Sequence, residues 1–295
     1  MKATRSQDRE SSNGLVSNVA GAGQRSGEPR LSGDEQNAAK ENSGLSPLTV
    51  YSIVLREGKH ELRRPVLSLW WSGVAAGFCI SASVLAQAVL RAELGVESGS
   101  ARLIASLGYS LGFLLVILGR LQLFTENTIT VVLPLLASPS RNALARTARL
   151  WLVVLLANFA GTFLAALVTV KGGLYPEDVL ASVLAISHHV AAIPPIDAFL
   201  RGMPAGFLIA AIVWMLPSAK GSEAIVIIVF TWLISAGGFT HVVAGSHEVF
   251  SLVVHGELTM LAAFSNHIAP VLLGNIIGGT GLFALLAYGQ VREEM

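Results

Sequence analysis

Two short stretches set polar side chains inside apolar surroundings, and any chemistry is to be sought there. GGFTHVVAGSHEVF (residues 237–250) follows the greasy run EAIVIIVFTWLISA and brings in His241, while RLQLFTENT (residues 120–128) interrupts another run with Arg120 and Glu126. An ionisable group at the centre of a bilayer costs about 3 kcal/mol or more, so it needs a partner or a task. For His241 the choice lies between a neutral ring that hydrogen-bonds a neighbouring helix and a group that meets a passing solute. For Arg120 and Glu126 it lies between an internal ion pair that stabilises the loop and an anion-attracting arginine with a separate gating carboxylate.

Enzymatic readings find little support. His247 and Glu248 begin the His-Glu-x-x-His pattern of a metalloprotease, but position 251 is Ser251 and the next histidine is His255, so the second ligand is missing. An intramembrane hydrolase is therefore a remote alternative. A metal path through His241, His247, His255 and His267 would lack the carboxylates and thiols that hold divalent cations. Neither a cofactor nor a metal is expected, and the chain is not read as an enzyme.

Composition says what must position these residues. The chain is 53% hydrophobic and only 13% charged, with a mean hydropathy of +0.62, whereas soluble domains carry about a quarter charged residues. This is an all-α integral membrane protein with the lipid bilayer as its first partner. The net charge of +1 gives no nucleic-acid signal, and the single cysteine, Cys79, permits no disulfide framework. Residues 1–48 are too polar to form a core and are expected to be a disordered cytoplasmic tail without a cleavable leader. Residues 49–295 form the membrane domain.

A helix needs about twenty apolar residues to cross a bilayer, and six regions qualify: 66–90, 103–137, 150–170, 198–216, 224–254 and 264–288. The second and fifth are too long for one crossing, and the two polar stretches break them. Arg56, Lys59, Arg63, Arg64, Arg141, Arg146, Arg149, Lys220 and Arg292 fall on one side; Arg91, Arg102, Lys171 and Arg201 fall on the other. By the positive-inside rule both termini are cytoplasmic.

The halves, about 66–171 and 198–290, echo each other. GVAAGF (73–78) pairs with GMPAGF (202–207), LFTEN (123–127) with GFTHV (238–242), and NFAG (158–161) with NIIG (275–278). Three crossings per half make the second copy inverted, and interrupted segments at matching places in such halves point to the solute pathway.

The residues LFT at 123–125, GFTH at 238–241, GNIIGG at 274–279 and FLRG at 199–202 resemble the signatures of the formate/nitrite transporter family, and the likeness runs from about Val50 to the end of the chain. It implies an aquaporin-like fold of six helices with broken second and fifth helices. It also implies a homopentamer with one pore per protomer, in a bacterial inner membrane, passing small monovalent anions or their conjugate weak acids. On this likeness the pathway comprises Leu123, Phe124, Thr125, Asn127, Phe239, Thr240 and His241, with His241 within reach of Thr125. Phe78, Phe124, Phe207 and Phe239 are candidates for apolar constrictions. A small carboxylic acid, with a pKa of roughly 3.5 to 4, is ionised at neutral pH, so a histidine able to exchange a proton lowers the barrier to passage.

The departures bear on the solute. Relatives commonly read GFEHSVANM at the fifth break; here Thr240 replaces the acid and Gly245 the asparagine. Gly206 replaces an asparagine of the fourth helix, Cys79 stands where an aromatic is frequent, and Glu126 follows a threonine usually succeeded by a small or neutral residue. The family's vestibule lysine is replaced by His188 or His189, which either draw anions when protonated or form an ordinary loop pair. A neutral solute or a different weak acid is the closest alternative.

Overall fold

The computed structural model describes residues 44–95 and 99–295. The expected polar tail therefore lies, but for its last residues, outside the described residues. Among the described residues every regular element is helical, as a chain that must satisfy its backbone in hydrocarbon requires. Five helical stretches are long and apolar enough to cross a bilayer: Val66–Leu94, Gly99–Leu118, Arg141–Lys171, Pro195–Ser218 and Met260–Arg292. The fifth expected region is instead two 14-residue half-helices, Glu223–Ala236 and Val242–His255, each too short alone.

Two helices outside the hydrophobic regions are added. α1 (Pro47–Glu61) starts on Ser46, whose side chain accepts the Thr49 N–H at 3.2 Å, with Pro47 in its first turn, the usual N-terminal signals. It is amphipathic, and buries Val50, Tyr51, Val54 and Gly58. A Cβ on Gly58 would overlap the Thr130 carbonyl, so this helix lies directly on the first break's far half. The first crossing is α2 (Val66–Ile80) continued by α3 (Ala82–Leu94), and the second begins with α4 (Gly99–Gly108) and α5 (Ser110–Leu118). After the first break come the short α6 (Asn127–Thr130) and α7 (Val132–Ala137), then the third crossing, α8 (Arg141–Lys171). The second addition, α9 (Glu177–Ala191), precedes α10 (Pro195–Met215); α11 (Glu223–Ala236) and α12 (Val242–His255) flank the second break. The last crossing contains α14 (Ala269–Ile276), preceded by α13 (Met260–Ala262) and followed by α15 (Leu285–Arg292), with π-helical stretches at Ala263–Ile268 and Ile277–Ala284.

The repeat is written in hydrogen bonds and glycines. In the first half, Asn158 donates to Gly73 O and Gln122 O, both at 2.8 Å, and accepts from Phe124 N at 2.9 Å. In the second, Asn275 donates to Gly202 O at 2.8 Å and Thr240 O at 2.9 Å, and accepts from Val242 N at 2.9 Å. Side chains at Gly77 and Gly206 would collide with the backbone of Asn158 and Asn275 respectively, so α2 lies on α8 as closely as α10 lies on α14. Such small-residue contacts are how membrane helices approach closely.

These bonds also correct one expected match. Both first half-helices end in the same C-terminal motif. Arg120 N reaches Ile117 O (3.2 Å) and Leu121 N reaches Val116 O (3.0 Å), while Gly238 N reaches Ser235 O (3.1 Å) and Phe239 N reaches Ile234 O (2.9 Å). Arg120 at φ 55° and Gly238 at φ 65° occupy the equivalent left-handed position, the glycine-favouring end of a Schellman turn. Gln122 then corresponds to Thr240, Leu123 to His241 and Phe124 to Val242. The expected pairing of LFTEN with GFTHV was out of step by three residues, because it matched a shared Phe-Thr rather than the turn that sets the register.

Candidate functional site

The two breaks meet at His241. Its Nε2 lies 2.7 Å from Thr125 Oγ1, its Nδ1 accepts the Ala244 N–H at 3.2 Å as the N-cap of α12, and its ring meets Phe113 edge-on at 5.0 Å. Because Nδ1 accepts, the neutral ring carries its proton on Nε2 and donates it to Thr125, which leaves the threonine hydroxyl hydrogen directed away from the imidazole. Thr125 is fully buried and His241 is 2% exposed.

A cavity of about 310 Å³ leads to this pair. Its lining passes from the exposed Arg102 and His189 and the half-buried Arg91, which border its mouth, through the half-buried Phe239 to the buried Thr240 and His241. His189 faces the cavity, whereas His188 Nε2 is 2.6 Å from Glu257 Oε2, and His255 Nδ1 is 2.6 Å from the other oxygen of the same carboxylate. Both vestibule candidates belong to α9, a helix rather than a loop.

Other candidates are used differently from expectation. Phe124 is buried against Trp151, with ring centroids 5.5 Å apart. Asn127 donates to Gln122 Oε1 at 3.2 Å and to Leu123 O at 3.0 Å, so its amide braces the first break. Thr240 donates to Ala198 O at 2.7 Å and so ties the second break to α10. Phe78 and Phe207, expected as constrictions, lie away from this cavity. Leu69, Gly73, Ala76 and Ile80 make the buried stripe of α2, so Phe78, two residues from either end of its last turn, points the opposite way and is 44% exposed. Phe207, its equivalent in the repeat, packs on Phe283 at 5.0 Å, and neither lines the cavity.

Arg120 does not pair with Glu126. Its guanidinium binds Glu57 Oε1 of α1 at 2.9 Å with both side chains largely exposed, and the left-handed backbone turns it outward. A non-glycine residue there costs about 1–2 kcal/mol, and an exposed ion pair returns about 0–1 kcal/mol. Arg120→Gly is therefore expected to hold or slightly raise the melting temperature of the detergent-solubilised protein, and Arg120→Val to lower it. A drop for the glycine variant as large as that for valine would show that the arginine side chain, not the turn, stabilises the break.

Sequence reasoning weighed two groups only as parts of a metal site and assigned neither to the pathway. Glu248, 6% exposed, and His267, 3% exposed, both line the inner cavity. His241, Gly245 and Glu248 recur at i, i+4 and i+7 and so share one face of α12; that spacing was the available signal. The sequence also contains GYSLG at residues 108–112, which has the Gly-x-Ser-x-Gly spacing. Ser110 donates to Ile228 O at 3.2 Å and accepts from Thr231 at 2.9 Å between two helical segments, so it is no nucleophile elbow.

Repeated halves, two opposed breaks and a buried histidine at the end of a vestibule define a membrane channel or transporter. A family profile described as formate/nitrite transporter matches residues 48–289, and the chain belongs to the formate/nitrite transporter family, whose members move solutes rather than catalyse reactions. It is 39% identical over 248 residues to the inner membrane protein YfdC of Escherichia coli K12, covering 84% of this chain and 80% of that protein. It is 29% identical over 246 residues to the formate channel FocA of Haemophilus influenzae, covering 74% and 84% respectively. Among solved structures, a pentameric formate channel with formate bound aligns at TM-score 0.66 and 22% identity, over 77% of this chain and 98% of that one. An ion channel of the same family aligns at 0.70 and 20% identity, over 83% and 98%.

Proposed function

We propose that each protomer passes small monovalent weak acids of the size of formate or nitrite, drawn in as anions and neutralised as they reach His241. The contact between His241 and Thr125, made where the two broken helices meet at the end of a cation-bordered cavity, is the observation that carries this reading. Arg91, Arg102 and His189 attract the anion. Inside, water is excluded and bare charge is costly, so hydrogen bonding and proton exchange at the imidazole lower the barrier. Leu123, the repeat counterpart of His241, and Phe239 supply apolar wall. Glu126, whose Oε1 has no partner among the described residues, is the gating carboxylate at the other side. The distribution of lysine and arginine supports a cytoplasmic position for both termini, with the vestibule outside. Likeness to a pentameric channel supports a homopentamer in a bacterial inner membrane.

Labelled formate, nitrite and glycerol uptake into proteoliposomes, measured against pH, tests the reading. Formate uptake that rises with acidity is expected; glycerol uptake alone, flat with pH, would make this a neutral-solute channel. The vestibule gives a separate test. Lysine is a permanent cation near neutral pH where histidine is a switchable one, so His189→Lys should flatten the dependence of formate uptake on pH. His188→Ala should not, since that side chain turns to Glu257. Equal profiles for wild type and His189→Lys would remove His189 from the attraction of anions.

A further inference from the structure

His241 is not the only titratable group on the path. Glu248 sits two turns further along the same face of α12, buried yet open to the cavity, and none of the ion pairs among the described residues involves it. His267, in the π-helical stretch Ala263–Ile268, reaches the same place from the last crossing. It is 3% exposed, and neither of its ring nitrogens has a hydrogen-bond partner among the described residues. Isolated π-helical turns are frequent at functional sites. What joins the two groups is a missing side chain: a Cβ on Gly245 would stand 2.9 Å from His267 Nε2 and 3.6 Å from Glu248 Oε2. Carboxyl and imidazole thus share the space over one bare Cα. A buried polar group left without a partner is costly, and the bare His267 ring and a carboxyl that forms no ion pair among the described residues, both bordering a solute cavity, describe a place that a permeant completes.

We propose that Glu248 and His267 form a second proton-exchange station, between the vestibule and the His241–Thr125 pair. It rests on the weak-acid reading above. The Glu248 carboxyl gives its proton to a carboxylate oxygen of the incoming anion; that O–H bond breaks as the acid's O–H bond forms. Glu248 is left as carboxylate, and it regains a proton from vestibule hydronium through His267. Anions protonated here reach His241 neutral, those that are not exchange a proton there, and the new carboxylate repels the next bare anion until it regains its proton. The other titratable groups bordering this space are Tyr109 from the α4–α5 junction, Arg91 from α3, Arg102 from α4, His189 from α9 and His241. The two arginines and His189 concentrate anions at the mouth; guanidinium groups do not give up a proton, and His189 stands exposed there, where water still solvates the anion. Tyr109 lies beside Glu248 and is the weaker acid of the two.

The test uses the full-length protein in proteoliposomes containing a pH-sensitive dye, with formate and the neutral, similarly sized formamide as probes. Glu248→Gln keeps the shape and removes the exchangeable proton. It should slow formate-driven acidification at least about tenfold, the lower side of what a positioned acid contributes, while leaving formamide permeation near wild type. Glu248→Asp should recover part of the loss, and His267→Gln should move the fall in formate uptake to a lower pH. Wild-type formate rates in Glu248→Gln would overturn the proposal, and so would an equal loss for formamide, which is what a packing defect gives. Should Glu248→Gln not fold, Gly245→Asn wedges an amide between carboxyl and imidazole and must selectively slow formate; unchanged rates there overturn it equally. Wild-type protein without any formate-driven acidification would sink the weak-acid reading itself, and this proposal with it.

Discussion

His241→Phe is expected to fold and to lose solute flux by about a hundredfold or more, the scale at which positioned acids and bases contribute. The phenyl ring preserves the bulk and the edge contact with Phe113. It removes Nε2, the partner of Thr125, and Nδ1, which caps α12. Loss of a cap costs about 0.5–2 kcal/mol, and a buried hydroxyl without its partner about 1–3 kcal/mol, so folded yield should fall measurably but not vanish. His241→Asn separates the two functions of the ring. Asparagine is a good N-cap and a hydrogen-bond donor, yet it does not titrate in this range, so passage should persist in part while the share of its pH dependence that comes from the imidazole disappears. Flux and folded yield must be read on the same proteoliposomes. Normal, pH-dependent flux through a well-folded phenylalanine variant would leave His241 a helix tie and nothing more.

The sequence exposed the parts of this site that obey a period or break one. Two over-long hydrophobic regions with polar centres located both breaks, and the paired Gly and Asn stretches identified the helices that hold them. Register was less visible. It is set by a left-handed residue and by carbonyls that accept from Asn158 and Asn275, and a shared Phe-Thr dipeptide imitated the match three residues away. Helices α1 and α9 escaped because neither is apolar enough to cross a bilayer, although Ser46-Pro47 was a legible start. Phe78 illustrates how one helical position decides a role: it follows the glycine that packs on α8, and falls on the outer face. Arg120 found Glu57, 63 positions away in the chain, where local reading offered only Glu126. Glu248 was hidden by its resemblance to half of a metal-binding pattern.

The same hydrogen bonds predict the largest effect on stability. Asn275→Leu replaces a buried amide by a side chain of similar size and strands three backbone groups, the carbonyls of Gly202 and Thr240 and the N–H of Val242. Each stranded group costs about 1–3 kcal/mol. The sum is comparable to the whole stability of many folded domains, about 5–15 kcal/mol, so most of the protein should fail to reach a folded, detergent-stable state. Asn158→Leu should be as damaging, since it strands Gly73 O, Gln122 O and Phe124 N in the same geometry. Asn127→Leu makes the useful contrast. It breaks one side-chain bond and one backbone bond within a single loop, and should cost clearly less. Melting temperatures and extracted yields of the three variants decide the matter: matched severe losses at 158 and 275 mean that each half hangs its break on one asparagine, whereas a mild Asn275→Leu would mean that helix packing alone holds His241 against Thr125.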